Sequence, residues 1–232
     1  MRTQRGNILF LILLAIILFV ALSYAVTSGM RGGGNNANAE SNQAAVADIA
    51  NFLVATENAV NRMRTVKDLK PEAISFEYMY QQYNGTKNLN FVNANCTSDD
   101  CRLFKPSGGG IEPRTFEKYA LPDPPGITAS NIKPGYFAII LMQFPYAGTD
   151  ANDIVLQIAF IRQEICQEYN NRMGIAANPS LTGTWVPANN VANWDNTAYT
   201  LSNNVSSVIG KSSFAAAPFN GHCTINLLLL AR

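Results

Sequence analysis

Histidine is almost missing from this chain: His222 is the only one in 232 residues. Hydrolysis by a Ser-His-Asp triad and multi-histidine metal centres are therefore set aside, and the single imidazole adjoins Cys223, a neighbour it is poorly placed to face. Charge is also scarce. Asp, Glu, Lys and Arg make up 14% of the residues, the net charge is +1, and the 17 basic residues are scattered. With no basic stripe to displace counterions from phosphates, nucleic acid is excluded as a partner. The phosphate-loop pattern is lacking too, because Gly210-Lys211-Ser212 has Val205 where the required glycine would stand. Gly108-Gly109-Gly110 has no strand-then-helix context and reads as a tight turn. No internal repeat is visible. No converging acid, base and nucleophile can be named, so the chain reads as non-enzymatic, with no cofactor and no metal centre beyond a weak calcium attraction at Asp99 and Asp100.

What is present begins with four cysteines, Cys96, Cys101, Cys166 and Cys223. An even number beyond an apolar N-terminal segment points to two disulfides in an oxidising compartment, with three pairings open. Cys96 and Cys101 bracket the turn TSDD, which favours a local bridge. Cys166 and Cys223 would then close a long loop and pin the C-terminal strand to the helix bearing Cys166.

The periodicities predict an α+β fold. Val46, Ile49, Leu53, Thr56, Val60 and Met63 alternate steps of three and four, one stripe of a helix, with Phe52 and Ala59 widening it. Asn38 or Ser41 would cap its start and Pro71 limits its end. Ile74, Phe76, Tyr78 and Tyr80 at period two, then Asn84-Gly85, then Leu89 and Phe91 predict a hairpin whose other face, Ser75, Glu77 and Met79, is wet. GYFAIILMQF predicts a strand buried on both faces, and TINLLLLAR a terminal strand. A second helix is expected from about Asp150 to Gly174 on Ile154, Ile158, Ile161, Ile165 and Tyr169. The tract from Asn178 to Ser213 reads as exposed loops with short strands. Its Trp185, Trp194 and Tyr199 are candidates for contact with a surface ligand.

The N-terminus, MRTQRGNILFLILLAIILFVALSYAV, has no charge after Arg5 and is long enough to span a bilayer. It fits a cleaved secretion signal, with Ser23-Tyr24-Ala25 as the small-residue site and a cut after Ala25. It equally fits a permanent anchor with Arg2 and Arg5 held on the cytoplasmic side. Thr27 to Asn38, TSGMRGGGNNAN, reads as a flexible joint because each glycine costs about 1 kcal/mol in a helix.

A short basic leader ending in glycine, followed at once by a long apolar helix that leads into an amphipathic one, resembles the class III signal of type IV pilins and pseudopilins. The resemblance covers roughly the first 66 residues. It implies a leader of residues 1–6, cleavage between Gly6 and Asn7, a retained transmembrane helix at 7–26, the joint at 27–38 and an exported head at 39–232. The fold implied is a long N-terminal helix, transmembrane and then amphipathic, with a second helix packed on an antiparallel β-sheet. Phe10, Leu11, Leu14 and Leu18 would lie on the assembly helix, against related subunits and the lipid bilayer. The implied location is a single pass through the inner membrane, N-terminus cytoplasmic and head periplasmic or extracellular. The family usually carries an aromatic residue first and a glutamate fifth in the mature chain; Asn7 and Leu11 stand there, which points to a minor or tip subunit. The reading from a different class is a monomeric anchored or secreted binding domain that uses its aromatic loops.

Overall fold

The structure is a computed structural model that describes residues 12–24, 33–90, 92–124, 126, 132–143, 152–175, 180–182, 199–203, 208–209, 211–216 and 223–231. The chain divides into two units, Met1–Ala44 and Ala45–Arg232. The first contains helix α1 at 12–24 and the opening turns of α2, Gly33–Thr65. The second is the α+β head.

Helix α2 begins at Gly33, so residues 33–38 are helical where the glycine and asparagine content predicts a joint. Nucleation is the costly step of helix formation. Once AESNQAAVADIA is helical, each further residue adds a hydrogen bond that offsets the poor intrinsic propensity of Gly and Asn. The predicted caps Asn38 and Ser41 accordingly lie inside the helix. Within the head, the stripe of Val46, Ile49, Leu53, Thr56, Val60 and Met63 is buried as the spacing predicts, and so are Phe52 and Ala59. Thr56 is tolerated there because its hydroxyl donates to the Phe52 carbonyl at 2.7 Å.

The chain then forms the predicted hairpin, β1 (Tyr78–Gln81) antiparallel to β2 (Lys87–Asn90), turned at Gly85, where φ is +88°. Ile74, Phe76 and Tyr78 are buried and Met79 is exposed, matching the alternation. Ser75, expected on the wet side, is buried instead. Its N–H and C=O are taken by Cys101 and Leu103 from the following loop, which covers that side.

The main sheet runs β5 (Ser180–Thr182), β6 (Tyr199–Asn203), β3 (Phe137–Gln143), β4 (Asn152–Ile161), β8 (Cys223–Leu230), β7 (Ser213–Ala216). The block β3-β4-β8-β7 is antiparallel, and β6 joins β3 in parallel, a departure from the wholly antiparallel sheet expected. Both parities of β3 are buried, from Phe137 through Met142, as are those of β8. The strand β4 corrects the sequence reading, which placed Ile154, Ile158 and Ile161 on a helix. It lies between β3 and β8, with Val155, Leu156 and Ala159 buried as well as the isoleucines. Burial on both faces removes the polar alternation that marks a strand, leaving β-branched residues whose spacing imitates a helical turn. Phe160, at φ +57°, sits where the β4–β8 register shifts.

The second helix, α3 (Gln163–Met173), is therefore short and places Cys166 in its first turn; Gly174 ends it at φ +68°, as predicted. Strand registers put Phe137, Ile158, Ile225 and Cys223 on one face of the sheet. Phe52 of α2 lies 5.6 Å from the Phe137 ring, and Cys166 of α3 is bonded to Cys223, so both helices meet that face.

Tyr169 of α3 is buried and donates to Ser213 Oγ at 2.7 Å. Burial pushes its phenol up to about 12, and it raises Tyr78 in the same direction. An unfolded tyrosine ionises near 10, so between pH 10 and 12 the unfolded chain loses a proton that the folded chain retains, and stability falls as pH rises. Unfolding free energies taken from denaturant melts across that range should fall by roughly 2 to 3 kcal/mol for Tyr169. Tyr169→Phe should flatten the slope.

Candidate functional site

Helix α1 at 12–24 carries no charge, and its large apolar side chains face outward all around it, from 46% exposed at Leu14 to 76% at Tyr24. A helix apolar on every side belongs in an apolar surrounding. Each such side chain gains roughly 1.5 to 3 kcal/mol on leaving water. Leu14 and Leu18, four residues apart, share one face of it. Among the described residues no helix is long and apolar enough to cross a membrane. The residues at 12–24 reach about 20 Å, against about 30 Å of hydrocarbon. Gly6, Asn7, Phe10, Leu11 and Ala25 lie outside the described residues, as do the other residues of the predicted 7–26 segment before 12 and after 24.

In the head, charged groups converge on Asp48 of α2. Its Oδ1 is 3.0 Å from the Arg114 guanidinium, and its Oδ2 is 3.3 Å from Lys118 Nζ and accepts from Tyr119 Oη at 3.0 Å. Arg114 also donates to the Asp48 carbonyl and stacks over Phe52 and Phe116, with centroids at 5.2 and 4.9 Å. Burial raises the Asp48 carboxyl. The Tyr119 hydrogen bond and the charges of Arg114 and Lys118 outweigh it, so the carboxyl stays below its ordinary value. This cluster is a bolt between helix and loop, its groups spent on one another.

The cysteine loop is fastened in the same manner. Cys96–Cys101 and Cys166–Cys223 are both formed, the pairings that spacing favours, with Cα atoms 5.7 and 6.4 Å apart. Asp99 binds Arg102 at 2.8 Å, which occupies a carboxylate weighed for calcium. From the end of α2, Arg62 donates to the Gly109 carbonyl at 2.6 Å and Lys67 donates to the Ser107 carbonyl. The Gly108-Gly109-Gly110 turn is thus tied down by Arg62 of α2 and by Lys67 just after it. A Cβ at Gly108 would fall 1.8 Å from the Arg102 carbonyl oxygen, so the turn admits only glycine there. Among the described residues no group of three or more His, Cys, Asp or Glu is arranged to hold a metal ion.

Trp185, Trp194 and His222 lie outside the described residues. Tyr199 opens β6, paired with Met142. Sequence reasoning missed the Asp48 bolt. Its signal was a lone carboxylate directly before Ile49 of the buried stripe. It also missed Asn170, which is buried and bonded to Ala215 of β7.

The geometry defines a disulfide-bonded α+β domain whose chain also carries an uncovered apolar helix. No protein family, curated protein or solved structure matches this chain.

Proposed function

We propose that this chain is a non-enzymatic, membrane-anchored subunit of pilin type, a minor component of a type IV pilus or of a type II secretion-type pseudopilus. The observation that carries the reading is α1: charge-free, apolar on every side and exposed along its length. It is preceded by the basic leader ending in Gly6. In this reading the N-terminal segment holds the protein as a single pass in the inner membrane, with Phe10, Leu11, Leu14 and Leu18 against related subunits. The head stands in the oxidising space outside, where two disulfides persist. A buried stripe on α2 and a sheet that receives it support a head built around its N-terminal helix.

Sequencing the N-terminus of protein extracted from membranes tests this. A mature chain starting at Asn7 is the expected result. A start at Val26 would make it a secreted domain, and an unprocessed Met1 a plain anchor; either outcome sinks the pilin reading.

A further inference from the structure

Among the described residues strand β7 is one edge of the main sheet, the position where a strand usually offers unpaired main-chain groups to another chain. Alternate residues of an antiparallel strand direct N–H and C=O to opposite neighbours. Ser212 accepts from the Leu228 N–H at 2.8 Å, so the alternation turns Ser213 and Ala215 away from β8. At Ala215 that outward pair is already taken. Asn170 Oδ1 accepts from the Ala215 N–H at 2.8 Å, and Asn170 Nδ2 donates to the Ala215 carbonyl at 2.9 Å. A carboxamide has the same donor and acceptor as a peptide group, and here it makes both bonds that a further strand would make. Asn170 is 2% exposed, and every residue of β7 is buried although the strand lies at an edge.

Three features hold the amide in place. The Asn170 carbonyl accepts from Ile175 at 2.8 Å in the turn at Gly174. Its neighbour Tyr169 bonds Ser213, and one turn earlier Cys166 is covalently joined to Cys223 at the start of β8.

We propose that Asn170 is an edge guard, a side-chain stand-in for a seventh strand that prevents β7 of one copy from pairing with β7 of a second copy. The inference does not rest on the pilin reading.

The test uses the full chain in detergent, comparing the wild type with Asn170→Leu, similar in shape but unable to donate or accept, and with Asn170→Asp, which keeps only the acceptor. In the wild type the Ala215 amide should exchange with solvent as slowly as that of Ile225 in the sheet interior. Asn170→Leu, diluted until it is monomeric, should accelerate Ala215 at least about tenfold and leave Ile225 unchanged; concentrated, it should sediment as larger species than the wild type in the same detergent. Asn170→Asp should keep Ala215 protected while its freed carbonyl admits some of the same association. Unchanged Ala215 exchange in Asn170→Leu overturns the guard. So does faster exchange with a wild-type mass distribution, since the amide would then serve only to seat α3. If Asn170→Leu does not fold, Asn170→Asp decides: added mass supports the guard and a wild-type mass refutes it.

Discussion

Under the proposed pilin-type function, replacing Leu14 and Leu18 together by arginine should move the protein out of the membrane fraction and abolish its assembly. Thirteen of the fifteen residues at 8–22 are Leu, Ile, Phe or Val. At about −0.3 to −0.6 kcal/mol each on an insertion scale, they favour the bilayer by roughly 6 kcal/mol. Two arginines near the middle add about 6 kcal/mol of cost and remove two favourable leucines, leaving insertion no longer favoured. Carbonate-resistant membrane retention measures this directly. Leu14→Ala with Leu18→Ala should keep the chain in the membrane but weaken packing between neighbours, because it removes bulk without adding charge. If the double arginine variant remains membrane-retained and assembles normally, α1 is not the anchor.

Removing the two disulfides separately should have unequal effects on the head. The bond between Cys166 and Cys223 spans 57 residues, that between Cys96 and Cys101 only 5. Loop-closure entropy gives about 4 kcal/mol for the first and about 2 kcal/mol for the second. Cys166→Ala with Cys223→Ala should therefore lower stability about twice as much as Cys96→Ala with Cys101→Ala, read from denaturant midpoints. The long-range bridge also carries structure that the short one does not. It seats α3 on the sheet and with it the Tyr169–Ser213 and Asn170–Ala215 bonds. Equal losses from the two variants would mean that residual structure in the denatured chain, rather than loop length, governs the effect.

The elements legible in the residues are those whose signal is local. The α2 stripe repeats at helical spacing over five turns, and each of its positions is buried. The β1–β2 hairpin is marked by Asn84-Gly85, and Gly174 stops α3 where the pattern predicts. Cys96 and Cys101 lie close enough in sequence that chain geometry nearly dictates their bond. The apolar character of α1 is likewise written in consecutive residues.

Other features depend on what lies alongside. Ile154, Ile158 and Ile161 have spacing that serves a helix or a strand, and the neighbours β3 and β8 decide for a strand by satisfying its backbone on both sides. Ser75 is buried because a loop about thirty residues further on bonds its N–H and C=O. Asp48 reads as a lone acid until Arg114, Lys118 and Tyr119 are brought to it. Asn170 acquires its role only where the sheet ends and α3 is held beside the last strand. Periodicity and turn chemistry act between residues a few positions apart, so a single sequence displays them. Hydrogen bonding and charge pairing between distant segments depend on which surfaces meet, and that is settled by the packing of the whole domain.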